Sequence, residues 1–128
     1  MENQKKLNST NKLIAEFMGY SLIDKKNGEP PMYHFDGKFT QNGFPHNVHP
    51  SCLFFHSSWD WLMPVIDKIE SFTDDLNQCR YNVEIEQCFV CIIDNHNSED
   101  IIELDADKKI DAVYQAVVEF IKFYNKNK

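Results

Sequence analysis

The sequence predicts an α+β fold: a mainly antiparallel sheet of about four to five strands packed with three helices in a sandwich-like arrangement. Three observations predict it. Apolar residues recur at helical spacing in three separate stretches, near residues 13–18, 62–69 and 110–124. Between the second and third, apolar and polar residues alternate from Tyr81 to Glu86, the period of a strand with one wet face. A polar turn at Asn95–Asp100 then precedes Ile101–Leu104, so the chain reverses in a hairpin. At 128 residues the chain has the size of one domain. Such a domain buries roughly two-thirds of its unfolded surface and needs neither metal nor disulfide to fold. The expected division is a frayed stretch at 1–8 and a single domain over 9–128.

The first helix is expected to start at Ser9, Thr10 or Asn11, each of which offers a capping oxygen. Leu13, Ile14, Phe17 and Met18 form its apolar face, and Gly19 stands where a left-handed terminal residue is wanted. Tyr20–Ile23 reads as a short strand, and Asp24–Gly28 as a turn before Pro30-Pro31. Met32–Phe35 and Lys38–Thr40 read as short strands around a hairpin at Asp36-Gly37, and Gly43–Pro50 as loop. Ser51–His56 reads as a strand running into a second helix, which begins near Ser58–Trp61 with Ser58 or Asp60 as cap and ends near Ser71. Its stripe is Leu62, Val65, Ile66 and Ile69, and Pro64 falls early, where it is best tolerated.

Arg80–Asp94 reads as the main strand, with Tyr81, Val83, Ile85, Phe89, Cys91 and Ile93 on one face. The run from Cys88 to Ile93 is apolar on both parities, which favours cover on both sides. The last helix spans about Asp107 to Tyr124, capped by Asp105 or Asp107. Its stripe is Ile110, Val113, Tyr114, Val117, Ile121 and Tyr124, broadened by Ala112, Ala116 and Val118.

Charge limits the partners. The net charge is −7 and Arg80 is the only arginine. Phosphate contacts supply most non-specific nucleic-acid affinity, so no direct nucleic-acid binding is expected. A small anionic ligand needs only one local pocket and stays open. No stretch approaches the 18 consecutive apolar residues of a membrane span. The polar start lacks the apolar core of a secretory signal, so the expected location is the cytoplasm, with reduced thiols.

Leu13–Tyr20 (LIAEFMGY), His56–Val65 (HSSWDWLMPV) and Ala112–Asn125 (AVYQAVVEFIKFYN) are similar to a group of small uncharacterised phage and prophage proteins of Bacteroidetes. In layout these resemble the phage α-β-α sandwich domain. The resemblance covers residues 11–125 and implies a sandwich-like fold encoded by a mobile element. It carries no catalytic residue over to this chain.

The chemistry-bearing residues each have a structural reading beside the functional one. Cys52, Cys79, Cys88 and Cys91 suffice in number for zinc, and Cys88 and Cys91 spell C-x-x-C. Read as part of a strand, however, that pair faces opposite sides, so core thiols are expected. His34, His46, His49 and His56 fall close together, but His46-x-x-His49 has no helix to align it and no intervening Glu. In His56-Ser-Ser-Trp-Asp60 the serines and Asp60 read as helix-capping groups rather than a catalytic triad. Glu84, Glu86, Asp94, Glu99, Asp100 and Glu103 read as a solvated acidic edge. No cofactor, metal or catalytic set is expected.

Tyr33, Phe35, His56, Trp59, Trp61 and Arg80 are the candidate binding surface, because large aromatic rings and arginine dominate recognition sites. The preferred expectation is a non-catalytic phage accessory protein that binds a host or phage macromolecule, with a homodimer left open. The alternative is a protein that sequesters a small anionic ligand such as a nucleotide signal. A hydrolytic enzyme ranks last.

Overall fold

The computed structural model describes residues 2–23, 32–35, 47–48 and 53–127. Helix α1 spans Glu2–Phe17, strand β1 Tyr20–Ile23, β2 Met32–Phe35 and β3 Asn47–Val48. Helix α2 spans Trp59–Ser71, β4 Tyr81–Glu86, β5 Phe89–Asp94, β6 Glu99–Asp105 and helix α3 Lys109–Lys126. The α+β class is as expected, with three helices and antiparallel strands. The strands do not form one sheet of four to five. They form two antiparallel three-stranded sheets, ordered β1-β2-β3 and β4-β5-β6. The turn read at Asp24–Gly28, the Asp36-Gly37 hairpin, the Lys38–Thr40 strand, the His46/His49 pair and Cys52 lie outside the described residues.

Helix α1 begins at Glu2, well ahead of the expected cap at Ser9–Asn11. Those three residues sit inside the helix because tertiary partners claim two of them. Thr10 bonds back to the Leu7 carbonyl and contacts the Tyr114 hydroxyl, and Asn11 is buried against α3 and the turn before α2. A capping preference of about 1 kcal/mol is outweighed by such contacts. Gly19 does end the helix as expected, at φ 100°.

β1 pairs with β2 over Tyr20↔Phe35 to Ile23↔Met32, and β2 pairs with β3 through Tyr33↔Val48 and His34↔Asn47. Asn47–Val48 therefore pairs as a strand where loop was expected. Leu53–His56, the described part of the Ser51–His56 strand expectation, instead enters a turn in which the amides of Ser57 and Ser58 donate to the Phe54 carbonyl. It delivers Ser58 to the N-cap of α2, although the serine side chain makes no capping bond. Pro64 lies in the second turn and is buried, so α2 lacks the N–H that would bond to the Asp60 carbonyl.

The stretch from Arg80 to Asp94 is two strands, not one. Glu86 pairs directly with Phe89 across a turn at Gln87-Cys88. The turn has none of the Gly or Asn residues that mark such hairpins; Gln87 itself takes φ 54°. The reversal resets the faces. Val83 now pairs with Ile92 and Ile85 with Val90, so Val90 and Ile92 turn to the core and Phe89, Cys91 and Ile93 to the opposite side. β6 follows with a bulge near Ile92/Ile93 and places Ile102 and Leu104 beside Ile92 and Val90.

Helices α2 and α3 cover this one face of β4–β6, and α1 packs on α3 from the far side. Among the described residues cover is one-sided for the β4–β6 sheet, whereas the doubly apolar Cys88–Ile93 run favours cover on both sides. The core joins Ile14 of α1, Met18 in the turn after it, Leu62, Val65 and Ile69 of α2, Val90 and Ile92 of β5, and the Val113–Ile121 arc of α3. Phe120 is fully buried although it lies off the expected stripe of α3. Being flanked by both the sheet and α1, α3 buries a wider arc than a surface helix does. Its cap also differs: Lys108 occupies the N-cap with no side-chain bond, and Asp111 supplies negative charge in the first turn.

Candidate functional site

Of the sequence-predicted binding residues with described side chains, Arg80 stands apart from His56, Trp59 and Trp61. Tyr33 and Phe35 lie two residues apart on β2, opposite Leu22 and Tyr20. His56 lies in the turn before α2, where its ring meets Tyr114 edge-on at 6.3 Å. Trp59 is exposed at the start of α2, together with Phe54 and Met63. Trp61 is half-buried and sits edge-on to Phe54 at 6.0 Å and Phe55 at 5.2 Å. Arg80 is elsewhere again, at the start of β4.

Arg80 is committed to an internal partner. Its Nε donates to Asp94 Oδ1 at 2.8 Å and a terminal nitrogen donates to Oδ2 at 3.1 Å, a two-pronged pair. Asp94 is buried and also accepts from the His96 amide at 3.0 Å. The Arg80 bond is the largest reason its carboxyl titrates below the usual range. The guanidinium lies 5.5 Å from the centre of the Tyr81 ring. Arg80 thus closes the β4–β5 ladder rather than offering itself to an anion.

Two regions have the geometry of a site. The first is a cleft of about 500 Å³ between α1, β6 and α3. Leu7, Leu104 and Val118 give it apolar walls, and Lys6 and Lys122 stand among its lining residues. A chain of polar contacts fixes its inner corner. Thr10 Oγ1 and Tyr114 Oη lie 2.6 Å apart, and Tyr114 Oη donates to Asn11 Oδ1 at 2.9 Å. Asn11 Nδ2 donates to the Leu53 carbonyl and to His56 Nδ1, each at 3.1 Å. An amide nitrogen only donates, so Nδ1 of His56 is the acceptor and the ring proton sits on Nε2. Burial raises the Tyr114 phenol, and the Thr10 bond draws it partly back. Sequence reading found His56 but missed Thr10, Asn11 and Tyr114. The hydroxyl and amide were read as local caps and the phenol as part of an apolar stripe.

The second is the open face of β4–β6, away from the helices. Register places Asn82, Glu84 and Glu86 of β4, Phe89, Cys91 and Ile93 of β5, and Asp100, Glu103 and Asp105 of β6 on it. Glu84, Cys91 and Glu103 form one row across the three strands. None of the three strands contains Lys, Arg or His. Phe89 keeps 44% of its surface exposed while Cys91 is buried. Burial first, then Asp100, Glu103 and Glu84, pushes the Cys91 thiol up to about 11. Ligand atoms of Cys91, Asp100 and Glu103 lie within 4.8 Å of one another. Because the thiol keeps its proton at neutral pH, a cation would have to displace that proton to use sulfur. Cys88 lies in the turn, its thiol directed to the Asp107 carbonyl, and Cys79 is exposed, so neither is the core thiol expected.

No helix among the described residues is long and apolar enough to cross a membrane. Comparison with protein-family models, with curated proteins and with solved structures finds no match.

Proposed function

We propose that the chain is a non-catalytic accessory protein, encoded by a phage or prophage, that binds a basic protein partner through the open face of its β4–β6 sheet. The observation that carries this reading is the composition of that face: Glu84, Glu86, Asp100, Glu103 and Asp105 surround a line of Phe89, Cys91 and Ile93, with no basic residue on any of the three strands. No carboxylate of this face directly opposes another, since those of β4 and β6 are separated by the apolar residues of β5, so their repulsion is spread over the whole face. A cationic partner would relieve that repulsion and bury the exposed Phe89 in the same contact. Such complementarity sets partner choice and association rate more than raw affinity. The net charge of −7 extends the same field over the molecule.

The non-catalytic reading draws support from where the displaced ionisable groups lie. Arg80 and Asp94 satisfy each other, Lys68 is bonded to the last carbonyl of α1, and Tyr20, Tyr81 and Cys91 are shifted chiefly by burial. The phage origin rests on the resemblance at residues 13–20, 56–65 and 112–125.

The test is a titration of a labelled lysine-rich amphipathic peptide into the full chain at low and moderate salt. Binding is expected to weaken at least tenfold in the Glu84→Lys/Glu103→Lys variant and with added salt. Phe89→Asp should weaken it several-fold at both salt levels. Equal binding by the charge-reversed variant, or equal binding of a glutamate-rich control peptide, would overturn the reading.

A further inference from the structure

The cleft between α1, β6 and α3 is separate from the acidic sheet face and has the opposite character. We infer that it binds a small amphiphilic carboxylate, an apolar body carrying a single anionic head. Its volume, about 500 Å³, lies within the range of small-molecule sites. Leu7, Leu104 and Val118 come from three different elements and give the apolar body a surface on three sides. Among the described residues of the lining, Lys6 and Lys122 stand against the single carboxylate of Glu119, so the cleft is locally positive on a protein whose net charge is −7. Lys122 already has a partner in Glu119, 3.6 Å away on the same helix, but that pair is half-exposed. Exposed pairs of this kind contribute little and exchange readily for an incoming anion.

The polar corner is built rather than incidental. Thr10 and Tyr114 are held by Asn11, which is 2% exposed and is itself fixed by the Leu53 carbonyl and His56. Both hydroxyl protons are already engaged, that of Tyr114 by Asn11 Oδ1 and that of Thr10 by the Leu7 carbonyl or by Tyr114 itself, so this corner gives the cleft a fixed wall rather than donors. The head is therefore placed against the ammonium groups of Lys6 and Lys122, with the body running toward Leu104. The lining favours a carboxylate on an aliphatic body over a nucleotide. Among the described residues Tyr114 is the only aromatic one lining the cleft, and its ring is already engaged edge-on by His56. A base would have no free aromatic face to stack on.

Decanoate is the probe, titrated into the full chain at up to millimolar concentration and followed by methyl NMR and by thermal shift. The expected result is saturable shifts confined to the methyl groups of Leu7, Leu104 and Val118, with a melting temperature that rises with concentration. Lys6→Glu/Lys122→Glu, both surface changes, should weaken binding at least tenfold without changing the free protein's melting temperature by more than a degree or two. Gln115→Trp, which fills the cleft from an exposed position, should abolish it. Decanol, lacking the charge, should bind at least tenfold more weakly than decanoate. The inference is overturned if the shifts map elsewhere, if decanol or the charge-reversed variant binds as well as the parent pair, or if adenosine monophosphate binds the cleft more tightly than decanoate.

Discussion

The Glu70 carboxylate of α2 accepts a hydrogen bond from the backbone N–H of Val83 at 3.2 Å. Val83 lies on β4, an edge strand of its sheet, and edge amides are templates for pairing with other chains. One helix side chain thus occupies a donor that would otherwise face outward. Glu70→Ala should cost about 1 kcal/mol in chemical denaturation. It should also raise self-association at high protein concentration, measured by analytical ultracentrifugation. A variant that stays as monodisperse as the parent would mean that the edge is guarded by something else.

Arg80 and Asp94 predict a pH dependence. The folded carboxyl titrates below its ordinary value, so the pair's contribution is fully present above the unfolded value of about 4 and is lost as pH falls through the folded value. Arg80→Leu leaves Asp94 buried without its main partner and should cost about 3 kcal/mol at neutral pH. The stability gap between parent and Arg80→Leu should narrow as pH is lowered below about 4, read from urea midpoints. A gap that stays constant down to pH 2 would show that the ionic pairing is not its source.

Phe120 is the hub of an aromatic cluster, with Tyr81 at 4.9 Å, Tyr124 at 6.2 Å and Phe17 at 6.3 Å. Phe120→Ala should cost roughly 3–5 kcal/mol, since the ring is fully buried and contacts groups from α1, β4 and α3. The neighbouring Phe123 is only half-buried, and Phe123→Ala should cost less than half as much. Equilibrium unfolding of the two variants separates the cases.

The thiols should react in order of exposure and charge. In a Cys52→Ser background, iodoacetamide at neutral pH is expected to label exposed Cys79 first, and Cys91 only on unfolding. Cys91 combines burial with a thiol pushed up to about 11, and both slow the reaction. Early labelling of Cys91, located by peptide mass, would contradict its position on the acidic face.

The acidic face itself predicts a response to salt without any partner. Screening weakens repulsion among Glu84, Glu103 and Asp100, so the melting temperature should rise with sodium chloride between about 10 and 300 mM. Glu103→Gln should reproduce part of that rise at low salt. A melting temperature indifferent to both changes would mean that the carboxylates lie too far apart to interact.

Much of the fold was legible because periodicity reports which face of an element is buried. The stripes of α2 and α3 and the positive-φ role of Gly19 were readable on that ground. The reversal at Gln87-Cys88 was not, because neither residue carries a turn signal and the alternation looks continuous across it. That single omission misassigned the faces of Phe89, Cys91 and Ile93 and hid the apolar line on the open side. The cleft was illegible for a different reason. Thr10 and Tyr114 are 104 positions apart, and no local pattern pairs a hydroxyl in one helix with a phenol in another. Arg80 was misplaced because its partner Asp94 belonged, in the sequence reading, to the far end of the same strand rather than to the strand beside it.

The contact between Thr10 and Tyr114 also bears on how the protein is made. Helix α1 leaves the ribosome early, yet the surface it packs on is α3, the last of these elements to be synthesised. At roughly 5–20 residues per second, α1 waits on the order of ten seconds with Ile14 and Met18 uncovered. During that interval the nascent chain is a natural client for a holding chaperone, and a translational pause placed before α3 would lengthen its exposure.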